Sequence, residues 1–132
     1  MMKLNRPYQD EPQYLRVLQW NAGGLSQDKR KQLQQLLRSQ EVDVFTIMEA
    51  NLDNNTIKYH QYPGYTLYLL PKFRQVASGI LTGIRSNLIT KFEVIKEMGN
   101  DQDKSEVVKL DIWKCENHYL LYSIYSSPKK LS

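Results

Sequence analysis

The segment Val42-Asp43-Val44-Phe45-Thr46-Ile47-Met48-Glu49 is a nearly continuous apolar run that ends on a carboxylate. Runs of this kind belong to strands covered on both faces, so this stretch demands packing partners above and below it. The residues before it supply one neighbour. Leu15-Arg16-Val17-Leu18-Gln19-Trp20-Asn21 reads as a strand that stops at Ala22-Gly23-Gly24, where paired glycines permit a tight turn. Ser26 then stands as an N-cap and Asp28 falls in the first turn. Leu33, Leu36 and Leu37 recur at helical spacing, which predicts an amphipathic helix ending near Ser39.

Strand, capped helix and buried strand make a βαβ unit, whose crossover should be right-handed and whose strands should lie parallel in one sheet. Asn21 and Glu49 then finish their strands at the same edge, the carboxyl edge where open α/β sheets bind ligands. After a loop over Ala50 to Gly64, with one helical turn expected near Asp53 to His60, the pattern changes to short strands. These run Tyr65 to Leu70, Ser78 to Arg85, Ile89 to Glu97, Glu106 to Lys114 and Tyr119 to Ser126. Val108, Leu110 and Ile112 alternate with Lys109, Asp111 and Trp113. The series predicts an antiparallel meander extending the first sheet, turning at Gly99 to Asp103 and at Glu116-Asn117. Met1 to Gln13 lacks periodicity and reads as a flexible leader, which leaves one domain over 14–132.

Composition narrows the function classes. With 132 residues, the chain can bury one real core and has little room for a second. The opening residues lack the apolar middle of a secretory signal, and no stretch approaches a membrane span. The reading is a soluble protein of the nucleus or cytoplasm. Cys115, the one cysteine, cannot build a disulfide framework or a cysteine zinc site, and it reads as a small buried hydrophobe in a strand. A net charge of +4 lowers the cost of approaching phosphate, but no like-charge run marks a nucleic-acid tail. Nine tyrosines with Lys72, Arg74, Arg85, Lys129 and Lys130 could face DNA, or could simply line the margins of a sheet.

Glu49 is the first candidate for chemistry. A carboxylate directly after an apolar strand either meets a cation or caps the strand in solvent; hard oxygen of this type suits Mg²⁺. Asn21 beside a glycine turn either stabilises that turn or presents its amide at the ligand edge. His60 and His118 read as surface residues. Without Gly-Lys-Ser/Thr after Gly24, the turn is no nucleotide-binding P-loop.

Motif order carries a resemblance. Leu18-Gln19-Trp20-Asn21-Ala22-Gly23-Gly24-Leu25, the leucine-rich helix, Asp43-Val44 and Met48-Glu49-Ala50-Asn51-Leu52 look like the opening of the endonuclease/exonuclease/phosphatase superfamily. Its apurinic-type endonuclease domain of non-LTR retrotransposons is the most similar branch. Ser78-Gly79-Ile80-Leu81-Thr82-Gly83-Ile84-Arg85 resembles the glycine-containing strand of that family, and Ile124-Tyr125-Ser126-Ser127-Pro128 its Tyr-x-x-Pro stretch. The resemblance implies an α/β class fold, the N-terminal part of a two-sheet DNase I-like sandwich. It implies Glu49 as ligand of Mg²⁺ (or Mn²⁺), Asn21 as an amide orienting metal or phosphate, and Tyr125 contacting the scissile phosphate. The reaction it implies is hydrolysis of a DNA phosphodiester by water; of the basic residues, and not from the resemblance, Arg85, Lys129 and Lys130 are the expected nucleic-acid contacts.

Two departures temper this. Gly23 stands where some relatives carry an Asp or Asn that helps the metal. The family's later Asp-x-Asn and Ser-Asp-His groups do not follow before Ser132, so the isolated chain is expected to be inactive or nearly so. An abasic-site repair nuclease, a phosphatase acting on inositol phosphates or lipids, and a non-enzymatic relic or nucleic-acid-binding fragment remain alternatives. An uncovered sheet face should also favour self-association.

Overall fold

A computed structural model describes residues 14–100 and 103–128; the predicted leader, Lys129 and Lys130 lie outside the described residues. In chain order the elements are β1 (Val17–Asn21), α1 (Gln27–Ser39), β2 (Val44–Met48), a 3₁₀ turn (Ile57–Tyr59), β3 (Tyr65–Leu70), β4 (Ile80–Arg85), β5 (Ile89–Lys96), β6 (Ser105–Lys114) and β7 (Asn117–Ser126). The strands form two sheets, ordered β1-β2-β4-β3 and β5-β6-β7.

β1 and β2 pair in parallel, with Asn21 opposite Met48, as a βαβ crossover requires. The Ser26 hydroxyl accepts from the Lys29 N–H, satisfying one of the donors that a helix start leaves without a partner. Leu33 and Leu37 of α1 are buried against Phe45, Ile47, Leu81 and Tyr62, whereas Leu36 sits at the margin and is 41% exposed. Each fully buried leucine contributes about 1.5–3 kcal/mol.

β3 and β4 extend the first sheet, as expected of the meander; β5, β6 and β7 instead leave it and form the second layer. Alternation decides this. Val108, Leu110 and Ile112 are buried on one side of β6, and Leu110 and Ile112 pack against Val44 and Ile84. Tyr68 of β3 and Phe92 of β5 stack with ring centroids 4.9 Å apart, and Lys114 of β6 pairs with buried Asp43 at 3.0 Å, tying the layers together. The protein is therefore α/β with helix, sheet and sheet in successive layers.

Three local expectations are corrected: the second turn, Cys115 and His60. The β6–β7 hairpin turns at Cys115-Glu116, with Lys114 opposite Asn117. Both turn residues have positive φ (50° and 66°), as a two-residue hairpin turn matching strand twist requires. Cys115 is thus a half-buried turn residue rather than a buried strand residue. His60, expected at the surface, is buried at 8% exposure. Arg30 Nη1 donates to the Tyr59 carbonyl and Gln34 Nε2 to the Gln61 carbonyl, so α1 pulls the loop down and packs His60 near Tyr62. Burial, with the Arg30 charge second, lowers the pKa of His60.

Candidate active site

Asn21 and Glu49 end adjacent parallel strands, so backbone pairing brings both to one rim. The Ala22 N–H donates to the Met48 carbonyl (3.0 Å) and the Gly24 N–H to the Glu49 carbonyl (2.6 Å). Gly24 has φ +97°, and a Cβ there would press within 3.3 Å of the Asn51 amide nitrogen, so the second glycine lets the turn close over the end of β2.

Glu49 and Asn51 themselves have left-handed backbones, φ 51° and 57°. Such conformations persist where surroundings impose them, and they concentrate at functional sites. Here the surroundings are the residues before β4. The Ala50 N–H donates to the Gly79 carbonyl (3.1 Å), the Asn51 N–H to the Ser78 carbonyl (2.9 Å), and the Ser78 N–H to Asn51 Oδ1 (3.0 Å).

Tyr125 reaches this rim from the second sheet. Its hydroxyl donates to Glu49 Oε1, while the ring is 5% exposed. Burial first, and then the hydrogen bond and charge of Glu49, push the phenol above the usual tyrosine range, which keeps the proton in place as a donor. Glu49 is half-buried, and its second carboxylate oxygen has no hydrogen-bond partner among the described residues. Asn21 is exposed at the end of β1, opposite Met48 in the sheet.

Sequence reasoning misses Glu106 as part of this rim. It faces Tyr125 across the β6–β7 pair and is 1% exposed. Both of its carboxylate oxygens accept from the Gly79 N–H, at 3.0 and 3.1 Å. Desolvation, partly opposed by that N–H, raises its pKa from 4.5 to about 7. A signal exists: Glu106 sits in register with Val108, Leu110 and Ile112, a charge on an apolar stripe.

The cations divide between two ends. Lys72 and Arg74 line a cleft of about 240 Å³ beside Asn51, and Lys29 lines another of about 330 Å³ with Gly23, Gly24 and Asn51. Arg85 is not brought there. β4 runs antiparallel to β2, so Arg85 emerges at the opposite rim, where its Nε donates to the Val42 carbonyl at 2.8 Å. A hollow of about 670 Å³ also lies at that far rim, lined by Glu41, Tyr65 and Arg85, away from Glu49. His60 and His118 contact neither Glu49 nor Tyr125; His118 stacks on Trp113 and pairs with Asp111.

Among the described residues no group of three or more His, Cys, Asp or Glu forms a ready metal cluster. What the rim offers is one carboxylate oxygen of Glu49 without a hydrogen-bond partner among the described residues, a hard donor of the type a cation with few protein ligands accepts. Mg²⁺ commonly binds through one or two carboxylates and completes its shell with water and phosphate. Nor is any helix among the described residues long and apolar enough to cross a membrane.

No family model matches the chain, and no curated protein matches it in sequence. Solved structures do match in fold. TDP2 from D. rerio, complexed with a single-strand DNA product, aligns with TM-score 0.67 and 16% identity over 88% of this chain and 47% of its own. The AP endonuclease LMAP from Leishmania major aligns with TM-score 0.62 and 14% identity over 92% and 47%. The Xenopus laevis APE2 catalytic domain gives TM-score 0.55 and 16% identity over 88% and 46%. These structures belong to the endonuclease/exonuclease/phosphatase superfamily, and the chain shares their two-sheet DNase I-like fold while spanning about half their length.

Proposed function

We propose that this chain serves metal-dependent hydrolysis of a DNA phosphodiester, as part of a nicking endonuclease of the retrotransposon type. The carrying observation is the Tyr125–Glu49 hydrogen bond, which joins the two sheets at the rim where Asn21 closes β1. The fold shared with a DNA-bound TDP2 and with two AP endonucleases supports the same reading.

Glu49 and Asn21 would hold Mg²⁺ (or Mn²⁺), which supplies positive charge against the charge developing on phosphate oxygens. Tyr125 would orient the Glu49 carboxylate through the one proton of its hydroxyl, and its contact with the scissile phosphate belongs to the same proposal. Lys29, Lys72 and Arg74, which line the two clefts at Asn51, would contact the DNA backbone, with Lys129 and Lys130, which follow Tyr125 closely in sequence, as further contacts. Arg85, expected from the sequence to be a DNA contact, would have to serve at the far rim. Neither histidine of the chain touches Glu49 or Tyr125, so turnover by these residues alone should be slow. Such chemistry would take place in the nucleus or cytoplasm. The apolar outer face of β5-β6-β7 would associate with a second copy.

Plasmid nicking in Mg²⁺ tests the assignment. Conversion of supercoiled to open-circular DNA should fall by about a hundredfold or more in Glu49→Ala. Nicking indifferent to that change refutes the role of Glu49. DNA binding without any nicking by either protein favours a nucleic-acid-binding fragment that has lost the chemistry.

A further inference from the structure

We infer that Glu106 is a positioning residue for this site, setting the Glu49 carboxylate through the backbone of Gly79. This rests on the reading of the Asn21, Glu49 and Tyr125 rim as the active site. A buried carboxylate is costly to keep unless it is hydrogen-bonded or paired. Glu106 is 1% exposed, and its partner is one backbone N–H, that of Gly79, shared between both oxygens. A solvent-facing residue at the same place would avoid that cost, so the carboxylate answers to something local.

What it holds is the peptide on which Glu49 depends. The carbonyl of Gly79 accepts from the Ala50 N–H, the residue directly after Glu49, and the next carbonyl back, of Ser78, accepts from Asn51. Gly79 cannot be held in this way by ordinary packing of a side chain of its own. Its φ is +91°, and a Cβ would come within 3.1 Å of the Lys72 nitrogen and 3.3 Å of the Leu70 carbonyl oxygen. Glu106 therefore anchors a glycine from the second sheet, the glycine anchors the left-handed turn over Glu49 to Asn51, and Tyr125, the cross-strand neighbour of Glu106, takes the Glu49 side chain. One β6–β7 residue pair thus grips the turn twice, once by its backbone and once by the carboxylate. Glu106 does not itself need to touch substrate.

The test uses the full chain, with amide hydrogen exchange and Mn²⁺-induced broadening read by NMR in Glu106→Leu and Glu106→Gln. Loss of the acceptor in Glu106→Leu should speed exchange at Gly79 and Ala50 by about tenfold, with Val44 to Ile47 unchanged. It should also weaken Mn²⁺ binding at Glu49 by about 10–100-fold. Glu106→Gln keeps an oxygen acceptor and should restore both to within about threefold. Unchanged exchange at Ala50 in Glu106→Leu overturns the proposal, and so does faster exchange with unaltered Mn²⁺ affinity, which would leave Glu106 merely structural. If Glu106→Leu does not fold, Glu106→Asp, with its carboxylate drawn back by one methylene, must show the same two changes or the proposal fails. Absence of Mn²⁺ broadening at Glu49 in the unaltered chain overturns the reading of the rim instead, while the exchange data still decide whether Glu106 holds the turn.

Discussion

The Tyr125 hydroxyl donates to a carboxylate oxygen of Glu49 across 76 residues of sequence, from a strand of one sheet to the end of a strand in the other. Glu49 is the acid that closes the buried strand β2, and Tyr125 is nearly buried itself, so the bond lies where water competes weakly. It makes the relative placement of the two sheets a condition for the geometry of the rim.

Tyr125→Phe removes the donor and keeps the ring. It should cost roughly 1.5–3 kcal/mol of stability, since the lost bond is to a charged group. Urea unfolding of Tyr125→Phe, Glu49→Gln and the double variant should return a coupling energy of about 1–2 kcal/mol. Additivity within about 0.3 kcal/mol would show that the two side chains do not interact.

Glu106 makes stability depend on pH in a defined direction. In the folded protein it keeps its proton up to about pH 7, whereas the unfolded chain releases it near 4.5. The folded state thus binds more protons in that window, and the unfolding free energy falls as pH rises through it, by up to about 3 kcal/mol. Below the window the contribution is fully present, and above it the slope vanishes. Unfolding curves for Glu106→Gln should lack this decline, so the difference between the two proteins should shrink or reverse from about pH 4.5 to about pH 8. Parallel pH profiles would show that the carboxyl is hydrated.

Gly83 faces Phe45 directly in the β2–β4 register, and a Cβ at Gly83 would overlap the Phe45 ring. Gly83→Ala should therefore cost about 3 kcal/mol by forcing that ring aside. Gly64, with φ +87° and open space around it, is a contrast: its alanine variant meets strain alone, about 1–2 kcal/mol. Thermal unfolding of the two variants should separate them, and Phe45→Leu should recover part of the loss in Gly83→Ala only.

The outer face of the second sheet carries Ile89 (71% exposed), Trp113, Leu120, Tyr122 and Ile124 (65% exposed). Leu120, Tyr122 and Ile124 follow one another along the outward side of β7, and exposed apolar side chains grouped in this way mark contact sites. Sedimentation should show concentration-dependent association of the chain, abolished in Leu120→Lys/Ile124→Lys with the circular dichroism unchanged. A compact monomer at every soluble concentration would remove the self-association reading.

Much of the rim is legible in the sequence. Period and caps reveal the βαβ unit, and parallel strands joined by a helix put Asn21 and Glu49 at one edge whatever the rest of the chain does. Arg85 escapes that reading: only the antiparallel pairing of β4 with β2 shows that its last residue is carried away from Glu49. The burial of His60 and the Cys115-Glu116 turn escape a reading of the sequence, because polarity and local pattern do not report how α1 draws a loop inward or where a hairpin register settles.

By itself the sequence determined what short-range sterics and periodicity govern: the Gly23-Gly24 turn, the Ser26 cap, the buried run of β2 and the alternation of β6. Tertiary structure alone decided that β5-β6-β7 would fold back as a separate layer, bringing Tyr125 to Glu49 and Glu106 to Gly79. The reason is that local preferences act within a few residues and survive in any packing that respects them. A contact spanning dozens of residues exists only when every strand register between its partners is set, and those registers are fixed by burial summed over the whole sandwich.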